Sequence, residues 1–593
     1  MKEMEVDVLI VGAGVTGLTL ALLLADFKVS ALAISKHRGT APSPRAHITN
    51  QRTMEVFRDL GVEERVRKVS VPLPGLGNSV MATGLADLEI ARYRCYGGGP
   101  HQLTDFQEAS PCEMVNSPQH ILEPVMLECA RERGADVRFY NEMVFIEQTA
   151  SGGVVARILQ RETGEEYLVR ARYVVGADGG RSTVAEQLGF GFRGQPELIS
   201  MISAWIEVDL AEYTTHRPSS IYWMLQPGSA YWVGSGTLIT VKPWNEWMLN
   251  WQYDPTDGEP DTSDAAVIER VRSVLGLPGL ELKVKDVSRW QVNNIIATEY
   301  RRGNVFLAGD AAHRHPPSSG LGSNTCVQDA YNLAWKLALV LLGKAEDSLL
   351  DSYHQERQPV GQQIVEHAIQ TLHNMIRVPE VLGFGRNQSK EDGYKSLHHL
   401  FSDSPEAKTR LGKLREAVNL QNKRSNALGL QLGHRYEHSG AVLADGPFPK
   451  RVRDPILYYE PTTHPGGYMP HAWVEYEKRL VSTLDIVGHG RFGLIVGAAG
   501  KAWIPAAAQV SQELGIDLPV YMIGARCPYD DVYGEWEARQ EITRWGALLV
   551  RPDRHIAWRA HDKRAPSHEE RLRFALKQIL GHVAKTNGDA KLV

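Results

Sequence analysis

Val6 to Val11 is an unbroken β-rich apolar run, Thr16 to Ala25 consists of good helix formers, and Val29 to Ile34 is a second apolar run of strand length. Together they predict a βαβ unit. Residues 51 to 68 space their apolar positions as one amphipathic helix, and Glu165 to Gly179 alternates before turning fully apolar, as a strand entering a sheet does. Residues 200 to 290 change character: they are rich in Trp, Tyr, Ile and Val, with turns such as QPGS and DPTDG, and predict an antiparallel sheet carrying aromatic side chains. From Asn304 a strand, NVFLAGD, leads through a Pro/Gly loop into a helix from about Asn324 to Leu342, a second visit to the first unit. Residues 360 to 430 are polar and helix-favouring. After Gly433 short strands and turns take over (RLVSTLD, RFGLIVG, GALLVRPD), so a domain boundary is placed near 430. No repeat of solenoid period is present.

The longest apolar run, Val8 to Ala25, raises the question of a membrane helix or signal peptide. Three glycines at fixed spacing, an acidic preamble and the lack of a cleavage site favour a buried strand, turn and helix instead. A chain of 593 residues predicts two or three domains with room for buried cofactor sites. Its 43% hydrophobic and 23% charged residues fit a soluble globular protein, and a net charge of -5 offers no basic footprint for nucleic acid or an anionic membrane. Five cysteines without a CxxC pair indicate neither a zinc knuckle nor a disulfide framework, which fits a reducing cytoplasm.

VDVLIVGAGVTGL sets Gly12, Gly14 and Gly17 between a strand and a helix, the context in which glycines let backbone N–H groups approach a pyrophosphate. The second strand normally ends in an acidic residue that holds a ribose hydroxyl. Here it ends ALAISK, so Ser35 and Lys36 occupy that end and the acidic partner is missing or supplied elsewhere. His313 and His315 form an HxH pair without a third ligand at recognisable spacing, and no metal is expected. GxSxG and HExxH motifs are absent.

YVVGADGGRSTV (173–184) and GNVFLAGDAAHRHPPSSGLGSNTCVQDAYNLAWKLA (303–338) resemble the second and third fingerprints of the group A flavoprotein aromatic hydroxylases. The resemblance implies FAD, with Asp310 at its ribitol and Pro317, Gly320, Leu321, Gly322 and Asn324 against the flavin ring. Asp178, Gly179 and Ser182 match the family's Asp-Gly motif, but Ala185 stands where its closing arginine is usual. Arg45, and Gln119 in SPQHILEP, fall where the family contacts FAD phosphate and adenosine or flavin. RPSSIYWMLQPGS (217–229) resembles the strand with which phenol hydroxylases present a tyrosine to substrate. Tyr222 holds that place, and Gln226 and Pro317 are expected at the substrate. With KPWNEW and LLVRPDRHIAWRA added, the resemblance to the 2,4-dichlorophenol 6-monooxygenase branch of the phenol hydroxylases covers essentially the whole chain.

The fold class so implied is α/β: a Rossmann-like FAD-binding domain of glutathione-reductase type at 1–185 and 291–375, an inserted substrate-binding β-sheet domain at 186–290, a helical connector at 376–430, and a thioredoxin-like domain without redox cysteines at 431–593. In PRAHITNQRTME, His47 falls where many phenol hydroxylases have an aspartate base. A histidine can accept the phenolic proton directly or through Tyr222, or it can simply pack near FAD. The expected activity is hydroxylation of a substituted phenol ortho to its hydroxyl through a flavin C4a-hydroperoxide, consuming O2 and NAD(P)H with NADPH preferred. A hydroxybenzoate monooxygenase, a flavin-dependent halogenase and a non-catalytic flavin-binding protein are the alternatives. A cytoplasmic homo-oligomer, dimer or tetramer, is expected, with no nucleic-acid or membrane partner.

Overall fold

The computed structural model describes residues 2–150, 152–228, 235–385, 388–561 and 567–582. Val8, Leu9 and Ile10 lie wholly out of solvent because β1 (Lys2–Val11) runs through the middle of a sheet, and α1 (Val15–Asp26) packs on it through a nearly continuous apolar surface. β2 (Ala31–Ser35) pairs parallel to β1 and completes the βαβ unit. The chain then makes a short strand β3 (Ile48–Thr49) and enters α2 (Gln51–Asp59), where the Asn50 side chain caps Thr53 N–H. The single helix expected over 51–68 ends here instead, because Gly61 takes φ +66°; a separate helix covers Glu63–Val69.

Two strands, β4 (Asn78–Ala82) and β5 (Glu89–Arg94), leave this region altogether and join the second sheet. The chain returns through β6 (Val115–Asn116), α3 (Gln119–Glu132), β7 (Asp136–Phe139) and β8 (Glu166–Gly176). The second sheet continues with β9 (Phe192–Glu207), β10 (Ser219–Met224), β11 (Gly236–Lys242) and β12 (Glu246–Tyr253); helix α4 (Asp264–Leu275) and β13 (Lys283–Ala297) follow. Then come β14 (Val305–Leu307), β15 (His313–Arg314), α5 (Gly322–Leu341) and the long α6 (Asp351–Leu382).

β14, β8, β1, β2 and β7 lie side by side, all parallel, in an eight-stranded sheet, with β7 at one edge. The second eight-stranded sheet has the order β15-β13-β9-β12-β11-β10-β4-β5. Its boundaries differ from those expected at 186 and 290. β4 pairs parallel with β10, β13 runs on to Ala297, and β15 adds an edge from beyond the return point. Long-range pairing draws these segments in, and no local pattern announces it.

Beyond 433 a smaller sheet forms from β16 (Gly493–Val496), β17 (Val520–Met522), β18 (Ala547–Val550) and β19 (Ile556–Ala560), with α7 (Trp503–Leu514) and α8 (His568–Ile579). Its order is β17-β16-β18-β19; β16 and β17 are parallel, while β18 is antiparallel to both its neighbours. Residues 583–593 of the expected last domain lie outside the described residues. The loop between β18 and β19 meets the first domain in a wholly buried ionic cluster. Arg551 grips Glu356 of α6 with both guanidinium ends at 2.6 and 2.8 Å, Lys336 of α5 reaches the same carboxylate at 2.7 Å, and Arg551 also pairs with Asp553 at 2.5 Å. Burial alone would raise the pKa of Glu356, but Arg551 and Lys336 outweigh it and bring it down to about 2.

Candidate active site

At two of the three βαβ glycines the backbone has no room for a side chain. A Cβ on Gly12, at φ +114°, would stand 2.1 Å from the Ala177 carbonyl oxygen, and one on Gly17 would stand 1.8 Å from the Gly12 carbonyl oxygen. Gly14 begins α1 without a side-chain cap, and the first turn holds no acidic residue. These features fit a dinucleotide pyrophosphate, since amide donors and the positive end of the helix dipole converge there.

Around this turn the expected cofactor residues gather in part. The Arg45 carbonyl accepts from Gln119 N–H at 3.1 Å, and the Gln119 amide donates to Glu123 Oε1 at 2.6 Å. Glu123 was not singled out in the sequence, although it stands one helical turn after Gln119. It is 2% exposed, accepts from Ala41 N–H at 2.6 Å, and would lie 3.5 Å from a Cβ on Gly14. Burial raises its pKa against the hydrogen bonds it accepts, so the acid is poorly disposed to carry charge beside a phosphate. Ser35 is buried and its hydroxyl takes the His37 N–H at 3.3 Å, while Lys36 is half-buried at the end of the same strand. Asp178 accepts from Val184 N–H at 3.1 Å and leaves its buried Oδ1 without a partner among the described residues; burial raises its pKa.

After β14 the chain turns at Gly309, φ +64°, whose N–H is held by Asp329 Oδ2 at 3.0 Å. Asp329 also takes His313 Nε2 at 2.9 Å and Arg357 Nε at 2.7 Å. This buried anchor leaves the neighbouring Asp310 carboxylate exposed, with the Cys326 thiol 3.6 Å away. An exposed acceptor on a rigid turn suits a polyol such as the FAD ribitol. Pro317 is exposed; Leu321 packs inward on Val360 and Ile364, so it contributes backbone and not side chain to the loop surface. Asn324 closes the loop: its amide donates to the carbonyls of Ile48 and Gly320 at 2.9 and 2.7 Å, and its Oδ1 accepts from Asn50 N–H at 2.9 Å. Gly322 opens α5, which carries no side-chain cap and no acidic residue in its first turn. His313 and His315 part company, His313 going to Asp329 and His315 Nδ1 to the Pro316 carbonyl at 2.9 Å. No group of three or more possible metal ligands gathers among the described residues.

Asn324 therefore binds the His47 segment to the glycine loop. A Cβ on Gly320 would lie 3.0 Å from the Ile48 side chain, so the loop backbone packs directly on Ile48. His47 is half-buried; its Nδ1 meets Asn116 Oδ1 at 2.8 Å, and Nε2 has no hydrogen-bond partner among the described residues. Burial lowers the ring pKa to about 4, with Asn116 working weakly the other way.

Two expected substrate residues are not there. Tyr222 points to the opposite face of the second sheet, where it is fully buried beneath α4 with Ile202, Leu238, Trp247 and Leu249; its hydroxyl donates to the Arg217 carbonyl at 3.0 Å. Gln226 donates its amide to the carbonyls of Ser273 and Val274, at the end of α4. The reason is the alternation of side chains along a strand: Ile221 and Trp223 face one way, with Ile48, and Tyr222 and Met224 the other. On the face shared with Ile221, Met201, Thr237, Ile239 and Asn250 keep partial exposure, as the wall of a recess does.

Comparison with known proteins gives the family of the chain. The family described as FAD binding domain matches residues 5–368, and that described as Aromatic-ring hydroxylase, C-terminal, matches residues 462–583. The chain is 42% identical over 578 residues to a 2,4-dichlorophenol 6-monooxygenase of Delftia acidovorans, covering 97% of this chain and 98% of that protein. It is 39% identical over 560 residues to a phenol 2-monooxygenase of Pseudomonas sp. (strain EST1001), covering 94% and 90%. Among solved structures, the flavin-dependent monooxygenase PieE in complex with FAD and substrate superposes with a TM-score of 0.94 at 41% identity, covering 98% of this chain and 100% of that one.

Proposed function

The chain belongs to the FAD-dependent aromatic-ring hydroxylases, close to the phenol hydroxylases, and from that premise we propose that it hydroxylates a substituted phenol ortho to its hydroxyl, using O2 and NAD(P)H, with NADPH preferred. The observation that carries the reading is His47: half-buried, tied to the glycine loop through Ile48 and Asn324, and offering a free Nε2.

Bound FAD, once reduced, supplies oxygen in a form that an electron-rich ring attacks. Gly12, Gly14 and Gly17 hold its pyrophosphate, Asp310 its ribitol, and Arg45 and Gln119 its phosphate and adenosine side. Ser35 and Lys36 stand at the ribose end, and Asp178 closes the turn. The uncapped start of α5 at Gly322 presents backbone donors that stabilise negative charge. The phenol is the chain's own problem. At a pKa near 4 the His47 ring is neutral at pH 7 and accepts the phenol's hydrogen bond through Nε2. Outright transfer from a phenol of pKa about 10 to such a ring is uphill by about 8 kcal/mol. The proton therefore moves as the aromatic ring gives up electrons to oxygen, when the hydroxyl is most acidic. Met201, Ile221 and Ile239 limit the water that reaches it.

His47→Ala is expected to keep its FAD and its reduction by NAD(P)H while hydroxylated product per NAD(P)H consumed falls about 100-fold. Product analysis beside oxygen uptake checks this, and unchanged coupling across pH 6 to 9 removes His47 from the mechanism. The β17-β16-β18-β19 order, with its parallel crossover and antiparallel partner, supports a thioredoxin-like reading of the last domain, and Cys527 stands there without a second cysteine. Among the described residues no helix is long and apolar enough to cross a membrane. The homo-oligomer, dimer or tetramer, and the cytoplasmic location remain parts of this proposal, which light scattering and cell fractionation test.

A further inference from the structure

Asn116 lies on β6, outside every motif of the sequence, and its two ends are bound to different things. Its amide nitrogen donates to the carbonyl oxygens of Thr240 and Val241 on β11, at 3.0 and 3.4 Å. Only an NH2 group satisfies two carbonyls, so the end facing His47 is the oxygen, a pure acceptor. It sits 2.8 Å from His47 Nδ1, and the residue is 1% exposed, so no water competes for that position. An acceptor facing Nδ1 requires a proton on Nδ1. A neutral imidazole carries one proton, so Nε2 keeps its lone pair.

We propose that Asn116 is a positioning residue that holds His47 in the Nδ1–H tautomer and thereby makes Nε2 the acceptor for the phenolic hydroxyl. This rests on the reading of His47 given above. The arrangement has a further consequence. Ser117 N–H donates to the His47 carbonyl at 2.7 Å and Ile48 pairs with Asn116 in the β3–β6 ladder, so ring and backbone are held by the same short strand. β6 in turn hangs from the substrate sheet through the two β11 carbonyls. Tautomer, ring orientation and distance to the sheet wall are thus set together. A neutral amide fixes the tautomer while stabilising the imidazolium less than a carboxylate would, and here burial outweighs it. Burial and Asn116 are the two influences on the ring's proton affinity, and with no carboxylate among them the ring stays neutral.

The test uses FAD-loaded enzyme with 15N-labelled histidine. The His47 signals are identified by difference from His47→Ala, and 4-nitrophenol serves as the probe ligand because its phenol and phenolate forms absorb differently. Wild type is expected to show one neutral tautomer with the proton on Nδ1. In Asn116→Ala the two tautomers mix, and hydroxylated product per NAD(P)H falls by about 10- to 100-fold. Asn116→Asp keeps an acceptor at Nδ1, so the tautomer is retained, the ring pKa rises, and the spectrum of bound 4-nitrophenol shifts towards phenolate. Asn116→Asp also serves if Asn116→Ala loses its FAD: a neutral His47 ring with its single proton on Nε2 in that variant, or an unchanged single tautomer in a folded Asn116→Ala, overturns the proposal. If the tautomers mix and coupling is unchanged, the tautomer assignment stands and the catalytic reading of His47 falls.

Discussion

At the scale of single residues, His47 and Tyr222 show what one side chain's surroundings decide. Both were expected at the phenol, one histidine in a polar stretch and one tyrosine in SSIYWM. The loop that carries His47 is legible through the family resemblance, which sets this histidine where many phenol hydroxylases have an aspartate base. Tyr222 is not, because Ile221, Tyr222 and Trp223 are all apolar and a run without polar positions does not reveal which parity faces the site. The structure buries the Tyr222 ring edge-on against Trp247, at 6.0 Å between centroids, with its hydroxyl on the Arg217 carbonyl. Tyr222→Phe is therefore expected to cost about 1 kcal/mol of stability, the value of one buried hydrogen bond, and to leave turnover as it was. Denaturant unfolding beside steady-state kinetics checks both halves; a large fall in kcat at unchanged stability restores the tyrosine to the site.

At the scale of elements, the turns were the readable part. Gly12 and Gly17 are glycines for reasons visible in the fold, since Gly12 packs directly on the Ala177 carbonyl and Gly17 on the Gly12 carbonyl. Gly12→Ala has no flexible neighbour to push aside, only backbone. The variant is expected to be recovered with less than a tenth of the wild-type FAD, which the ratio of flavin to protein absorbance measures. Full flavin content in that variant means that the turn is not the pyrophosphate site. The strands were harder. β4 and β5 carry no mark that assigns them to the substrate sheet, because a strand's own alternation says that one face is buried and not which partner covers it. The approach of α3 to the glycine turn through Glu123 was hidden for a similar reason: a glutamate on a helix reads as a solvated residue until the fold puts it 2% exposed.

At the scale of the whole molecule, buried charge sets how the protein responds to acid. His47, His367 and His471 are each brought down to about 4, by burial first. Their folded pKa lies below the unfolded value, so the stability they contribute is present above about pH 6.5 and is lost as the pH falls towards 4. Glu356, held at about 2, keeps its contribution above about pH 4.5 and loses it only on further acidification. Glu123 and Asp178, whose pKa values are raised, pull the other way. The three histidines outweigh them, and the melting temperature is expected to begin falling between pH 6.5 and 5, before the seam carboxylate titrates. A melting curve flat down to pH 4.5 contradicts this. By itself the sequence determined the βαβ unit and its glycine turn, because each depends on residues near one another in the chain; Asp310, the loop from Pro317 to Asn324 and His47 were expected at the cofactor and the phenol through the family resemblance. The tertiary structure alone decided the sheet face of Tyr222, the recruitment of β4 and β5, the buried cluster of Glu356, Lys336 and Arg551, and the grip of Asn116 on His47. Those depend on which distant backbones pair and which side chains they exclude from water, and no local spacing encodes that.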